Sequence, residues 1–154
     1  MKLENAARVS EEVYENFTKN HKPQRNDIVM SRVGTYFVTS FVNTDEQFCM
    51  GQNTLVIHSS NNSLFLYFIL NSIFVKKQIE ILFDMTTGQK TLSLKNIRNL
   101  KIFLPPLPEQ QKTASILSNT DEKIQSYERY KEKLQNLKTS LMQKLLTGEV
   151  RVAV

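Results

Sequence analysis

The sequence predicts an α+β fold: a small mixed or antiparallel β head with helices, followed by one long C-terminal coiled-coil helix. Three observations carry this reading. Up to residue 104, β-rich runs alternate with turn residues and short helical patterns. The segment Leu104-Pro105-Pro106-Leu107-Pro108 then ends that texture in a rigid hinge. Beyond it, Lys, Glu and Leu dominate, with apolar residues at helical spacing almost to the C-terminus. The expected organisation is therefore a head over 1–104 and a hinge plus helix over 105–154.

A chain of 154 residues allows one domain, or a domain with an appendage. Its hydrophobic content of 40%, with 9 Phe and 5 Tyr, supplies a core and excludes wholesale disorder. A formal charge of +5 suits a polyanionic partner without specifying one. The single cysteine, Cys49, excludes an internal disulfide; between Phe48 and Met50 it reads as a small buried hydrophobe in a reducing compartment. A nucleophilic thiol needs a histidine partner, and neither His21 nor His58 sits in a supporting motif. The apolar run from Leu64 to Leu70 is too short to cross a membrane, and the N-terminus has no signal-peptide core. The expectation is a cytoplasmic protein without membrane contact.

Each element has a local reason. Ser10 as N-cap, Glu11 and Glu12 in the first turn, and Val13 and Phe17 on one face predict a short helix. It ends in the basic, proline-broken run from Lys19 to Arg25. The runs Asp27 to Val33 and Tyr36 to Asn43, separated by Gly34-Thr35, predict a hairpin. Thr54 to His58, after Gly51-Gln52-Asn53, predicts a further strand. From Ser63 to Phe83 the apolar spacing becomes helical with few breaks. Thr86 to Lys90 reads as a polar loop, Ser93 as the cap of a short helix over Leu94 to Arg98, and Leu100 to Leu104 as a final strand. Pro108 suits the first turn of the next helix, where a missing N–H costs nothing, and Glu109 complements the positive helix end.

In that helix Tyr127, Tyr130, Leu134, Leu137 and Leu141 alternate steps of three and four, with Ile124 extending the stripe. Gly148 is a natural stop. From Pro108 to Thr147 the helix reaches about 60 Å, more than a head of this size covers. One reading folds the helix back along its own domain; the favoured expectation, because the heptad-like steps continue far from the hinge, is that much of the stripe packs on another helix.

These residues resemble a known family. Leu104-Pro-Pro-Leu-Pro-Glu-Gln-Gln-Lys112, then Ile116-Leu117, Asp121-Glu-Lys-Ile124 and Leu141-Met-Gln-Lys-Leu-Leu-Thr-Gly148, look like the spacer region of type I restriction–modification specificity subunits. Asp27-Ile-Val-Met-Ser-Arg-Val-Gly-Thr35, Gly51-Gln-Asn53 and Gly88-Gln-Lys-Thr-Leu-Ser93 resemble segments of that family's target-recognition domain. The resemblance implies a non-catalytic reader of double-stranded DNA. In the family, two recognition domains each read half of a split site and paired helices set the gap. Methyltransferase (modification) subunits, which bind the S-adenosylmethionine, and restriction subunits assemble on this scaffold. With one recognition domain, incomplete at its start, the chain resembles the C-terminal part of a full subunit: either a fragment, or a half-subunit that forms a homodimer through its C-terminal helix.

Candidate DNA-binding residues follow from loop position and side-chain chemistry. They are Gln89 and Lys90, with Lys90 first as a phosphate contact; Arg32 and Thr35 at the hairpin turn; Gln52 and Asn53 after Gly51; and the basic Arg98 and Lys22. Each has a plainer reading: Arg32 as partner of a carboxylate, Gln52 and Asn53 satisfying turn backbone, and the cations as a solvated face. Candidate helix-pairing residues are Ile124, Tyr127, Tyr130, Leu134, Leu137 and Leu141. No catalytic residue, metal ligand or cofactor is expected. Leu104 and Leu107 flank Pro105-Pro106 where an amino-methyltransferase motif needs other residues, and no phosphate-binding glycine loop stands out. Two readings follow: a DNA specificity component acting through a complex, and an assembly module that binds partner subunits or itself without reading DNA.

Overall fold

The computed structural model describes residues 3, 6–33, 37–82 and 92–153. In chain order the elements are α1 (Glu11–Thr18), β1 (Ile28–Ser31), β2 (Thr39–Phe41), β3 (Thr54–Ile57), α2 (Ser63–Leu70), α3 (Ile73–Ile81), α4 (Leu94–Arg98) and α5 (Leu107–Leu146). They fall into two compact units, Met1–Ala114 and Ser115–Val154, whose boundary lies inside α5. The α+β class and the antiparallel sheet agree with the sequence reading.

In the first unit the strands form one sheet in the order β2-β1-β3, antiparallel throughout. Ile28 pairs with Phe41 and Ile57, and Met30 with Thr39 and Leu55. Because side chains alternate along a strand, Ile28, Met30, Phe41, Leu55 and Ile57 share a face. That face meets Leu70, Val75, Ile79 and Leu92 in the core, with Tyr67, Ile97, Leu100 and Ile102 packed against it. The opposite face carries Val29, Ser40, Thr54 and Val56.

Two of the caps are those the sequence announces. Ser10 Oγ accepts from the Val13 N–H and Ser93 Oγ from the Asn96 N–H. Asn62 Oδ1 does the same for Phe65 at the start of α2.

One expectation is sharpened and one corrected. The helical spacing from Ser63 onward falls into two helices, α2 and α3, with its break at Asn71 and Ser72. Both side chains compete for backbone partners and favour caps over helix interiors. The Asn71 amide donates to Thr39 Oγ1 (2.7 Å) and to the Tyr67 carbonyl (2.8 Å), while Ser72 Oγ accepts from the Val75 N–H. The break lets Val75 and Ile79 enter the core and leaves Ile73 and Phe74 exposed. Phe83 and the loop at 86–90 lie outside the described residues.

The expected strand over Leu100 to Leu104 is not formed. The backbone of Lys101 is instead satisfied by one side chain: the Gln78 amide donates to its carbonyl (2.8 Å) and accepts from its N–H (2.9 Å). A glutamine from α3 thus stands in for a neighbouring strand.

The hinge is seated by Gln110. Its Nε2 donates to the Pro105 carbonyl at 2.8 Å, and both Gln110 and Ala114 are buried. The Pro106 carbonyl accepts from the Glu109 and Gln110 N–H groups, so Pro108 falls where no donor is required.

In the second unit α5 continues to Leu146, its 40 residues spanning about 60 Å at 1.5 Å each. It ends at Gly148, whose φ of 76° favours glycine, with the Val150 N–H returning to the Lys144 carbonyl. No described residue from Ser115 onward is buried. No helix among the described residues is long and apolar enough to cross a membrane.

Candidate nucleic-acid interface

Of the candidates read from the sequence, Thr35, Gln89 and Lys90 lie outside the described residues. Arg32, Gln52 and Asn53 are brought together. Arg32 follows β1, and its N–H donates to the Asn53 carbonyl at 2.8 Å. Its Nη2 makes a long contact of 3.5 Å with the Gln52 carbonyl, while its Nε is buried without a partner. Its own carbonyl accepts from the Leu92 N–H. Arg32 therefore braces the turn that precedes β3. The Gly51 carbonyl closes that turn by accepting from the Thr54 N–H and Oγ1 (2.6 Å), leaving the Gln52 and Asn53 side chains exposed.

Lys22 and Arg98 stand on separate elements. The Lys22 ammonium sits 5.5 Å from the Tyr14 ring centroid, a cation–π contact at the surface. Arg98 is exposed on α4, with Lys95 on the same helix and the exposed Lys101 soon after. Arg25, from the basic run, forms a two-pronged pair with Asp45 (2.7 and 2.6 Å). The hydrogen bond and charge of that pair raise the arginine pKa and lower the aspartate's, so Arg25 is engaged within the head.

The sequence reading missed a buried carboxylate, Asp27, at the entry to β1. Its Oδ1 lies 2.9 Å from His58 Nδ1, and its Oδ2 lies 3.1 Å from His21 Nε2 and 2.9 Å from the Gln24 N–H. Burial opposes its ionisation most strongly. The hydrogen bonds from His58, Gln24 and His21, with the charge of His21, outweigh that and hold the carboxyl below its ordinary pKa. With Asp27 ionised, both imidazoles donate to it. The cluster ties the chain after α1, the start of β1 and the exit of β3 into one clip. Asp27 and His58 are the next pair outward from the Ile28–Ile57 pairing, a register visible only once the strands are aligned.

Beside this clip lies an open groove of about 670 Å³, lined by Asn16, Phe17, Asn20 and His21 on one side and by Met50 to Gln52 and Thr54 to Val56 on the other. Cys49 is half-buried, not a core residue, and lines a larger adjoining groove of about 1200 Å³ with Tyr14 and Lys22.

On the helical unit the pairing candidates Ile124, Tyr127, Tyr130, Leu134, Leu137 and Leu141 are all exposed. Leu134, Leu137 and Leu141, with Met142, Leu145 and Leu146, line an apolar groove of about 350 Å³ along the helix.

A small antiparallel sheet with short helices is thus followed, after the prolines, by a 40-residue helix with an exposed apolar stripe. The family model for the type I restriction modification DNA specificity domain matches residues 3–136, and the chain belongs to that family. Among curated relatives, it is 32% identical over 107 residues to a putative type I restriction enzyme MjaX specificity subunit of Methanocaldococcus jannaschii, covering 68% of this chain and 24% of the relative. It is 35% identical over 88 residues to the type I restriction enzyme MjaVIII specificity subunit of the same organism, covering 57% of this chain and 20% of the relative. The chain thus spans at most about a quarter of the length of these relatives.

Proposed function

We propose that the chain is a DNA-specificity component of a type I restriction–modification system. It is a non-catalytic reader of one half of a bipartite site, and its helix docks the modification subunit and, through the complex, the restriction subunit. The observation that carries this reading is the family match over 3–136, which runs from the sheet through the prolines into the helix. The charge of +5 and the exposed Lys95, Arg98 and Lys101 support double-stranded DNA as the partner. Such work belongs in the cytoplasm, where the DNA is.

The test compares DNA methylated by the cognate modification subunit with and without this chain. A site-specific pattern that appears only with the chain is expected. An identical pattern in both sinks the reading.

The uncovered apolar groove on α5 favours a second reading, an assembly module that joins subunits without touching DNA. Replacing Lys90 and Arg98 with Ala separates the two. Salt-sensitive DNA binding of the complex falls only if the head reads DNA, whereas subunit assembly is unchanged under both.

A further inference from the structure

We infer that the groove between the end of α1 and the turn before β3 is a base-reading surface, taking the edges of DNA base pairs on Asn16, Asn20 and Gln52. This inference rests on the reading of the head as a DNA reader and says where on it sequence is read.

Three observations carry it. The first is lining chemistry. The polar side chains lining the groove are Asn16, Asn20, His21, Gln52 and Thr54, beside the apolar Phe17, Met50, Leu55 and Val56, with no Lys, Arg, Asp or Glu among the described residues that line it. Sequence-independent affinity for phosphates comes mainly from cations, whereas Asn and Gln, which also contact phosphates, match the paired donor and acceptor of adenine in the major groove. Among the described residues, the amides of Asn16, Asn20 and Gln52 make no side-chain hydrogen bond within the protein, so their donors and acceptors remain available.

The second is Gly51. Its φ is not in the left-handed region, and a Cβ placed on it meets nothing within 4 Å. Neither backbone strain nor internal packing in the free protein calls for a glycine there. Open space above an exposed glycine in the groove wall is what close approach of a ligand requires.

The third is that both walls are held before anything binds. Asp27 fixes His21, the residue after Asn20, through a 3.1 Å hydrogen bond. Arg32 fixes the Gln52–Asn53 turn through the Asn53 carbonyl. Pre-set walls suit selective recognition, because the ordering cost is met during folding.

The experiment selects bound duplexes from a randomised DNA pool using the complex of the full chain with its modification subunit. Asn20→Ala and Gln52→Ala are each expected to relax base choice at one or two positions of the selected site by about 10-fold to 100-fold. The salt dependence of binding should stay unchanged, because no phosphate contact is lost. Gly51→Val is expected to weaken binding to the selected site at least about tenfold while leaving the thermal midpoint of the chain unchanged. Should Gly51→Val unfold the head, the two exposed amide variants decide the matter alone. Wild-type complex that selects a site, with Asn20→Ala and Gln52→Ala selecting the same site at the same affinity, overturns the groove assignment only. Wild-type complex that selects no site overturns the DNA-reading function itself, and the groove with it.

Discussion

The two units treat their apolar side chains in opposite ways. In the first, Ile28, Met30, Val75, Ile79 and Leu92 are withdrawn from solvent, and the three strands, α2, α3 and α4 all contribute to that core. In the second, Ile124, Tyr127, Tyr130, Leu134, Leu137 and Leu141 are all exposed although they repeat with heptad-like regularity. The difference teaches where each structure gets its stability. The sheet unit is specified by contacts it makes with itself. The helix is specified by local propensity and end signals, and its stripe stays exposed, although most helical stability in proteins comes from packing an apolar face.

Replacing Leu134 and Leu137 together with Asp tests that contrast most severely. Docking of the modification subunit on α5 should be lost outright, read by co-purification of the two proteins, while the thermal midpoint of the sheet unit stays put. A loss of stability in that unit would show that the contrast is wrong. Ile79→Ala should do the reverse. Truncating a fully packed core residue costs about 2–5 kcal/mol, read by denaturant unfolding, with association through α5 intact.

Asp27→Asn should cost about 2–3 kcal/mol, because hydrogen bonds to a buried charge are lost or weakened. The sign with pH follows from the lowered pKa. The stabilisation is complete above the ordinary carboxylate value of about 4 and is lost as pH falls through that value and on to the lower folded one. Acid unfolding of the wild type should therefore show a limb below about pH 4 that the variant lacks. Least of all, Arg25→Ala should leave the unfolding midpoint within measurement scatter, since its pair with Asp45 is open to solvent.

What the sequence made legible was what is encoded locally. Ser10, Ser93 and Gly148 announced their helix ends, and the hairpin and the run of α5 followed from short-range pattern. Asn71 and Ser72 were equally local, yet the apolar stripe running through them masked two adjacent cap residues. The pairing of Gln78 with Lys101 was out of reach because an amide replaced a strand across 23 residues. Asp27 and its two histidines were out of reach for a like reason, with His58 lying 31 residues on. The candidate site divides in the same way. Gln52 and Asn53 were visible as turn residues, whereas Asn16, Asn20 and His21 became groove residues only when α1 was set beside β3. Arg32 was legible as a polar group near the turn, but not as the brace of another segment.

The Asp27 clip also bears on the order in which the molecule opens. It joins the chain beyond α1 to two strands that meet only after the intervening segment has closed, so the exit from α1 and the β1–β3 edge cannot be released independently at neutral pH. Amide exchange at the end of α1 should then follow the slow openings of the sheet rather than the rapid fraying typical of a short exposed helix. In acid, where the clip is protonated, that exchange should become fast while the sheet amides are still protected.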